Sequence, residues 1–98
     1  MASDKEFLDF VLEQLSLCGE ISYKKMMGEY MLYKDGKYFA AVCDDRLLFK
    51  ITDGNKVFGM EEAAPYPGAK PMYLADNLDD KELLSEITAA TLPYLKKK

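Results

Sequence analysis

The dipeptide Asp35-Gly36, set between two runs of strand-forming residues, constrains this chain more than any other feature. A two-residue hairpin loop needs φ > 0 at both central positions, and Asp-Gly is among the best pairs for that geometry. If those two residues are the loop, Lys34 faces Lys37, Tyr33 faces Tyr38 and Leu32 faces Phe39. A second turn at Asp44-Asp45 sets Val42 opposite Leu47 and Ala40 opposite Phe49. Alternate strand residues point the same way, and paired residues share a face. Strict alternation therefore predicts a core face of Met31, Tyr33, Tyr38, Ala40, Val42, Leu47, Phe49 and Ile51. The opposite face then carries Tyr30, Leu32, Phe39, Ala41, Cys43, Arg46, Leu48 and Lys50, too apolar for a wet surface and too charged for a second core. Either a helix or the 60–70 loop covers that face, or it is an interaction surface formed by Tyr30, Leu32, Phe39, Arg46, Leu48 and Lys50.

Helical patterns flank this strand region. Ser3 and Glu6 form a capping box, and Phe7, Phe10, Val11, Gln14, Leu15 and Cys18 recur at helical spacing, with Leu8 and Leu12 widening the stripe. A helix over 4–18 follows, closed by Gly19. Asp79 and Glu82 repeat the capping pattern before Leu83, Leu84, Ile87, Ala90, Thr91, Tyr94 and Leu95, and Pro93 should end the regular helix. Leu83, Ile87 and Ala90 are expected against the sheet. Between these parts the pattern weakens. Asp53-Gly54-Asn55 reads as a turn, 56–60 as one helical turn, Pro65-Tyr66-Pro67-Gly68 as turned or extended, and 71–75 as a short last strand opened by Pro71. Met26-Met27-Gly28 suggests a bulge or a close backbone approach. The expectation is a single α+β domain over 1–98: two layers, with an antiparallel sheet of four or five strands between N-terminal and C-terminal helices.

Composition narrows function mainly by exclusion. With 49% hydrophobic and 31% charged residues the chain is globular, and no apolar run is long enough to span a membrane. The first residues carry neither a basic nor an apolar signal region, so a soluble, cytoplasmic protein is expected. Cys18 and Cys43 are far apart and outside any CxxC motif, which suits small apolar core residues. The absence of histidine removes Ser-His-Asp and Cys-His catalysis and the commonest zinc and iron ligand. Asp53, Asn55 and Glu62 fail the spacing of a calcium loop, because Phe58 stands at the glycine position and Ala64 at the bidentate carboxylate position. No phosphate-loop or dinucleotide glycine motif occurs, Asp44-Asp45 would be a hydrated turn, and Lys24 and Lys25 would point oppositely from a strand. No cofactor, metal or small-molecule substrate is implied.

The net charge of −4 is distributed as −4 over residues 1–20, +2 over 21–51 and −2 over 52–98. Overall acidity disfavours direct nucleic-acid binding. The alternative to a protein-binding domain is nonetheless a small nucleic-acid-binding module using Lys24, Lys25, Lys34, Lys37, Arg46, Lys50 and the terminal lysines, with tyrosines for stacking.

Lys25-Met26-Met27-Gly28-Glu29-Tyr30-Met31-Leu32-Tyr33, then Asp35-Gly36-Lys37, then Asp44-Asp45-Arg46-Leu47-Leu48-Phe49-Lys50, resemble the N-terminal domain of the TfoX/Sxy family. The opening Lys5-Glu6-Phe7-Leu8-Asp9-Phe10-Val11 stretch, the Pro65-Tyr66-Pro67-Gly68-Ala69-Lys70 loop and Asp79-Asp80 look like the same family's small stand-alone members. Met27 stands where many members have phenylalanine, and Glu29 where many have glycine. The resemblance implies a secretion-chaperone-like α+β architecture and no enzyme. The founding members are regulators of natural competence that promote transcription and carry an additional C-terminal domain. What is implied here is a non-enzymatic regulatory or adaptor domain acting through contacts with another protein or with a second copy of itself.

Overall fold

The computed structural model describes residues 5–26 and 29–96. The Ser3 cap and the Met27-Gly28 feature lie outside the described residues. The chain opens with α1 (Lys5–Gln14), which passes through Leu15 into a short 3-10 turn, Ser16–Cys18, and stops at Gly19 with φ 88°. Its deepest side chains are Leu8, Val11 and Leu15, one seam at i, i+3 and i+7, while Phe7, Phe10 and Leu12 flank it half-buried.

Six strands follow among the described residues: β1 (Ser22–Met26), β2 (Glu29–Lys34), β3 (Lys37–Cys43), β4 (Arg46–Phe49), β5 (Glu61–Ala63) and β6 (Met72–Leu74). They form one antiparallel sheet in the order β1-β2-β3-β4-β6-β5. The expectation of four or five strands missed β5, whose Glu61 and Glu62 carry no strand signal. Three residues at an edge need only the β6 backbone, so side-chain pattern does not reveal them. Both hairpin turns form as the sequence predicts. Asp35 and Gly36 have φ of 53° and 79°, and Asp44 and Asp45 both 55°, the doubly left-handed backbone that suits the twist of the flanking strands.

The register departs from strict alternation at one place. Tyr33 pairs with Tyr38, but Leu32 then pairs with Ala40 rather than Phe39, and the offset continues through Met31↔Ala41 and Tyr30↔Val42. Phe39 and Ala40 together oppose Leu32: a β-bulge, with one extra residue in β3. A one-residue slip turns every side chain of β2 to the other face. Tyr30, Leu32 and Phe39 therefore belong to the helix-side core with Ala40, Val42, Leu47 and Phe49, whereas Met31, Tyr33 and Tyr38 belong to the opposite face. The β3–β4 register, Ala40↔Phe49 through Cys43↔Arg46, is the predicted one.

The second helix, α2 (Lys81–Thr91), is capped one residue later than expected: the Leu83 N–H donates to the Asp80 carboxylate at 3.0 Å. It buries Leu84, Ile87, Thr88 and Thr91, with Leu83 and Ala90 half-covered, and becomes a 3-10 turn, Leu92–Tyr94, at Pro93. Burying Leu84 and Ile87 contributes on the order of 3–6 kcal/mol. Lys37, from the start of β3, donates to the Leu92 carbonyl at 3.1 Å and satisfies an oxygen at the helix end. Both helices cover one face of the sheet, so the core lies between them and β2, β3, β4 and β6.

A buried polar clip joins α2 to the turn after β4. Asn55 is fully buried; its side-chain nitrogen donates to the Lys50 carbonyl at 2.8 Å and to Thr91 Oγ1 at 2.9 Å, and its Oδ1 accepts from the Thr52 N–H. Thr91 in turn donates to the Ile87 carbonyl at 2.7 Å. The turn comes so close to the helix that a Cβ on Gly54 would lie 2.1 Å from the Ala90 carbonyl oxygen and 2.5 Å from the Tyr94 ring. Only glycine fits at this position.

Candidate functional site

The sheet face away from the helices has its own small apolar cluster: Ala41, Cys43, Leu48 and Met72, with Tyr38, Ala63 and Leu74 at its margin. No helix covers it. Its cover is the 64–70 loop, as one of the two sequence-based alternatives held. That loop turns at Tyr66-Pro67-Gly68-Ala69, where the Ala69 N–H donates to the Tyr66 carbonyl at 3.1 Å and Gly68 has φ 87°. Proline followed by a left-handed glycine makes this a type II turn.

Three hydrogen bonds latch the loop to the sheet. Arg46 Nη2 donates to the carbonyls of Ala64 and Pro65, each at 3.1 Å, and the Cys43 thiol donates to the Pro65 carbonyl at 3.0 Å. Arg46 Nε is buried without a hydrogen-bond partner among the described residues, a cost of about 1–3 kcal/mol that weakens the latch. Burial pushes the Cys43 thiol above its ordinary pKa, and Glu29 adds to that, so it stays a protonated donor at neutral pH.

Beside the latch an open groove of about 920 Å³ runs between the loop and the turn after β4. It is lined by Tyr38, Lys50 and Met72 from the sheet and its margin, by Pro65, Tyr66, Lys70 and Pro71 from the loop, and by Ile51, Thr52, Tyr94 and Leu95 from the turn after β4 and the end of the chain's last helical turn. Two of its tyrosines are well exposed, Tyr66 at 56% and Tyr94 at 59%. The Lys50 ammonium lies 4.6 Å from the Tyr38 ring centre, Tyr38 and Tyr33 are 5.7 Å apart, and Lys24 lies 5.5 Å from Tyr33. A pair of rings flanked by two cations thus crosses the sheet from β1 to the end of β4. Burial, with Glu29 and Tyr33 adding to it, holds the Tyr38 phenol protonated, with its pKa pushed up to about 12.

The residues expected to share an interaction face separate. Arg46, Leu48 and Lys50 lie on the helix-free side; Arg46 and Leu48 are committed to the latch and the cluster beneath it, and Lys50 reaches the groove. Tyr30, Leu32 and Phe39 are packed under the helices, a correction whose cause is the bulge at Phe39. Tyr66, Lys70 and Tyr94 were not singled out, because the groove joins segments distant in sequence and nothing in the local pattern marks them. Among the described residues there is no group of three His, Cys, Asp or Glu placed to hold a metal ion, and no helix long and apolar enough to cross a membrane.

Known proteins bear on this geometry in two ways. The chain is similar to an uncharacterized 12.7 kDa protein in the trpE 5′ region of Spirochaeta aurantia, at 37% identity over 99 aligned residues that cover 95% of this chain and 86% of that one. The profile of the TfoX N-terminal domain matches residues 13–93, from the end of α1 to the 3-10 turn after α2. The chain belongs to the TfoX N-terminal domain family.

Proposed function

We propose that this chain is a non-enzymatic regulatory adaptor of the TfoX type, working in the cytoplasm, whose helix-free sheet face docks another protein. Family membership supports the regulatory class, and with it transcription or competence control as the setting. The observation that carries the docking site is the asymmetry of the sheet. One face is closed by two helices, while the other keeps an open groove edged by the exposed Tyr66 and Tyr94. Tyrosines with half-buried rings and accessible hydroxyls are common anchors at protein interfaces. Two free cysteines, one of them buried, suit a reducing compartment.

The test is a comparison of baits. Immobilised wild-type protein should retain a protein that the Tyr66→Ala/Lys70→Glu variant does not, and the purified pair should then bind with a measurable heat. Equal retention on both baits would remove the groove as the docking site. The row Lys24, Tyr33, Tyr38, Lys50 favours a second reading, a stacking platform for single-stranded nucleic acid, which predicts steeply salt-dependent binding of an oligonucleotide.

A further inference from the structure

The sheet has two edges, and they carry opposite charges. β1 ends one side of the strand order and β5 the other, so each leaves one row of its backbone groups outside the ladder. Every side chain of β1 is exposed; Lys24 and Lys25 put two positive charges on it, beside Tyr23 at 40% and Met26 at 51% exposure. β5 carries Glu61 and Glu62, both exposed. Among the described residues none of these four charges has an ion-pair partner, and Lys24, which rests 5.5 Å from the Tyr33 ring centre, keeps its charge there. Lysines on an edge repel a second copy of the same edge, and adjacent glutamates do likewise. Pairing of β1 with β1, or of β5 with β5, is therefore disfavoured, whereas β1 of one copy attracts β5 of another.

The topology permits that contact. All neighbours in the six-stranded sheet are antiparallel, so its first and last strands run in opposite directions. A second copy set alongside in the same orientation brings its β1 antiparallel to the first copy's β5, with the helices of both on one side. β1 presents Tyr23 and Lys25 on the helix side, where their ladder partners are Leu32 and Tyr30, and Ser22, Lys24 and Met26 on the other. In β5, Glu62 stands on the helix side with Tyr73, and Glu61 and Ala63 on the other with Leu74 and Met72. Two registers match these faces while keeping all three residues of β5 within β1. One sets Lys24 opposite Glu61 with Lys25 diagonal to Glu62; the other sets Lys25 opposite Glu62 with Lys24 diagonal to Glu61. Opposite charges facing each other across strands are stabilising, and long side chains reach the diagonal position too. We propose that copies of this chain associate head to tail, the basic β1 edge of one adding to the acidic β5 edge of the next, so that the sheet continues from molecule to molecule. Such a contact does not close on two copies, and the assembly grows beyond a dimer. Resting on a three-residue edge and exposed ion pairs, it is weak and governed by concentration and salt. No residue lining the groove belongs to β1 or β5, so this association and the docking proposed above can fail separately.

Sedimentation velocity of the full chain across a concentration series, at low and at high salt, reads this association. At low salt the wild type should pass beyond the dimer as its concentration approaches millimolar, and high salt should return it to the monomer. Lys24→Glu/Lys25→Glu makes both edges acidic, Glu61→Lys/Glu62→Lys makes both basic, and each variant alone should associate more weakly by on the order of tenfold or more. An equimolar mixture of the two sets the acidic β1 of one variant against the basic β5 of the other, and the reverse, and should regain the association of the wild type. The proposal is overturned by a wild type that stays monomeric at low salt or stops at a dimer, by either variant associating as well as the wild type, or by a mixture that stays monomeric. All four substituted side chains are exposed, and amide spectra check that the fold is kept. Should either variant misfold, the wild type decides alone: the amides of residues 22–26 and 61–63 should broaden as its concentration rises, and broadening confined to other positions contradicts the contact.

Discussion

The two faces of this sheet are built by different means. On the helix side Leu8, Val11, Leu15, Leu32, Phe39, Phe49, Leu84 and Ile87 interlock from α1, the strands and α2. On the other side four small or medium side chains lie under a loop that three hydrogen bonds hold. Apolar burial scales with area, so most of the stability belongs to the first face, and the second can open locally well below the free energy of global unfolding. The difference suits the division of duties proposed above: the face that holds the fold is closed, and the face proposed to dock a partner is thinly covered.

The largest effect that would break this comparison is loss of α2. Truncation before Asp79 removes Leu84, Ile87, Thr88 and Thr91 together and should leave a chain with no cooperative thermal transition. A well-folded 1–78 fragment would show that the helix side does not hold the fold. Next in size is Phe39→Ala, expected to cost about 3–5 kcal/mol in chemical denaturation because Phe39 is fully buried against Phe49. Had alternation held, the same residue would lie on the weaker face and cost clearly less.

That residue also shows where sequence reasoning reaches its limit. Asp35-Gly36 and Asp44-Asp45 were legible because a turn with two left-handed residues restricts residue type locally. The bulge was not, since Tyr38, Phe39, Ala40, Ala41 and Val42 are all apolar and any register buries something acceptable. One hint existed. Strict alternation left Leu32 and Phe39 on a face with Arg46 and Lys50, and moving the large apolar pair to the core required one extra residue in β3. Half of the expected interaction face was therefore wrongly sided, and the groove itself, assembled from positions 29 to 95, has no local signature.

A middle-sized effect tests the clip between α2 and the turn after β4. Gly54→Ala should destabilise by about 1–3 kcal/mol through contact with the Ala90 carbonyl and the Tyr94 ring. Asn55→Ala should cost a similar amount, about 1–3 kcal/mol, by leaving buried groups unpaired. If Gly54→Ala is neutral in thermal unfolding, the turn is not packed on the helix as described.

Smaller in stability but more specific is the latch. Arg46→Met removes two charge-assisted hydrogen bonds while keeping most of the stem, so Cys43 should react with a thiol reagent on the order of tenfold faster or more. An unchanged rate would mean that the loop is held by its apolar contacts alone. The smallest effect is set by pH. Tyr38 has its pKa raised from about 10 when unfolded to about 12 when folded, so the fold binds this proton more tightly. Its contribution is complete below pH about 10 and is lost as pH rises toward about 12, and Tyr38→Phe should flatten that part of the stability profile.

The division of duties can be tested most directly by measuring melting temperature and partner retention on immobilised protein together in two pairs of substitutions. Tyr66→Ala/Lys70→Glu alters the groove, and Val57→Ser/Lys81→Glu makes the same change of charge outside it. Both pairs should melt like the wild type, since surface changes of this kind usually stay within about 0.5 kcal/mol. Only the groove pair should abolish retention of the partner. Loss of retention in both pairs, or in neither, would contradict the account.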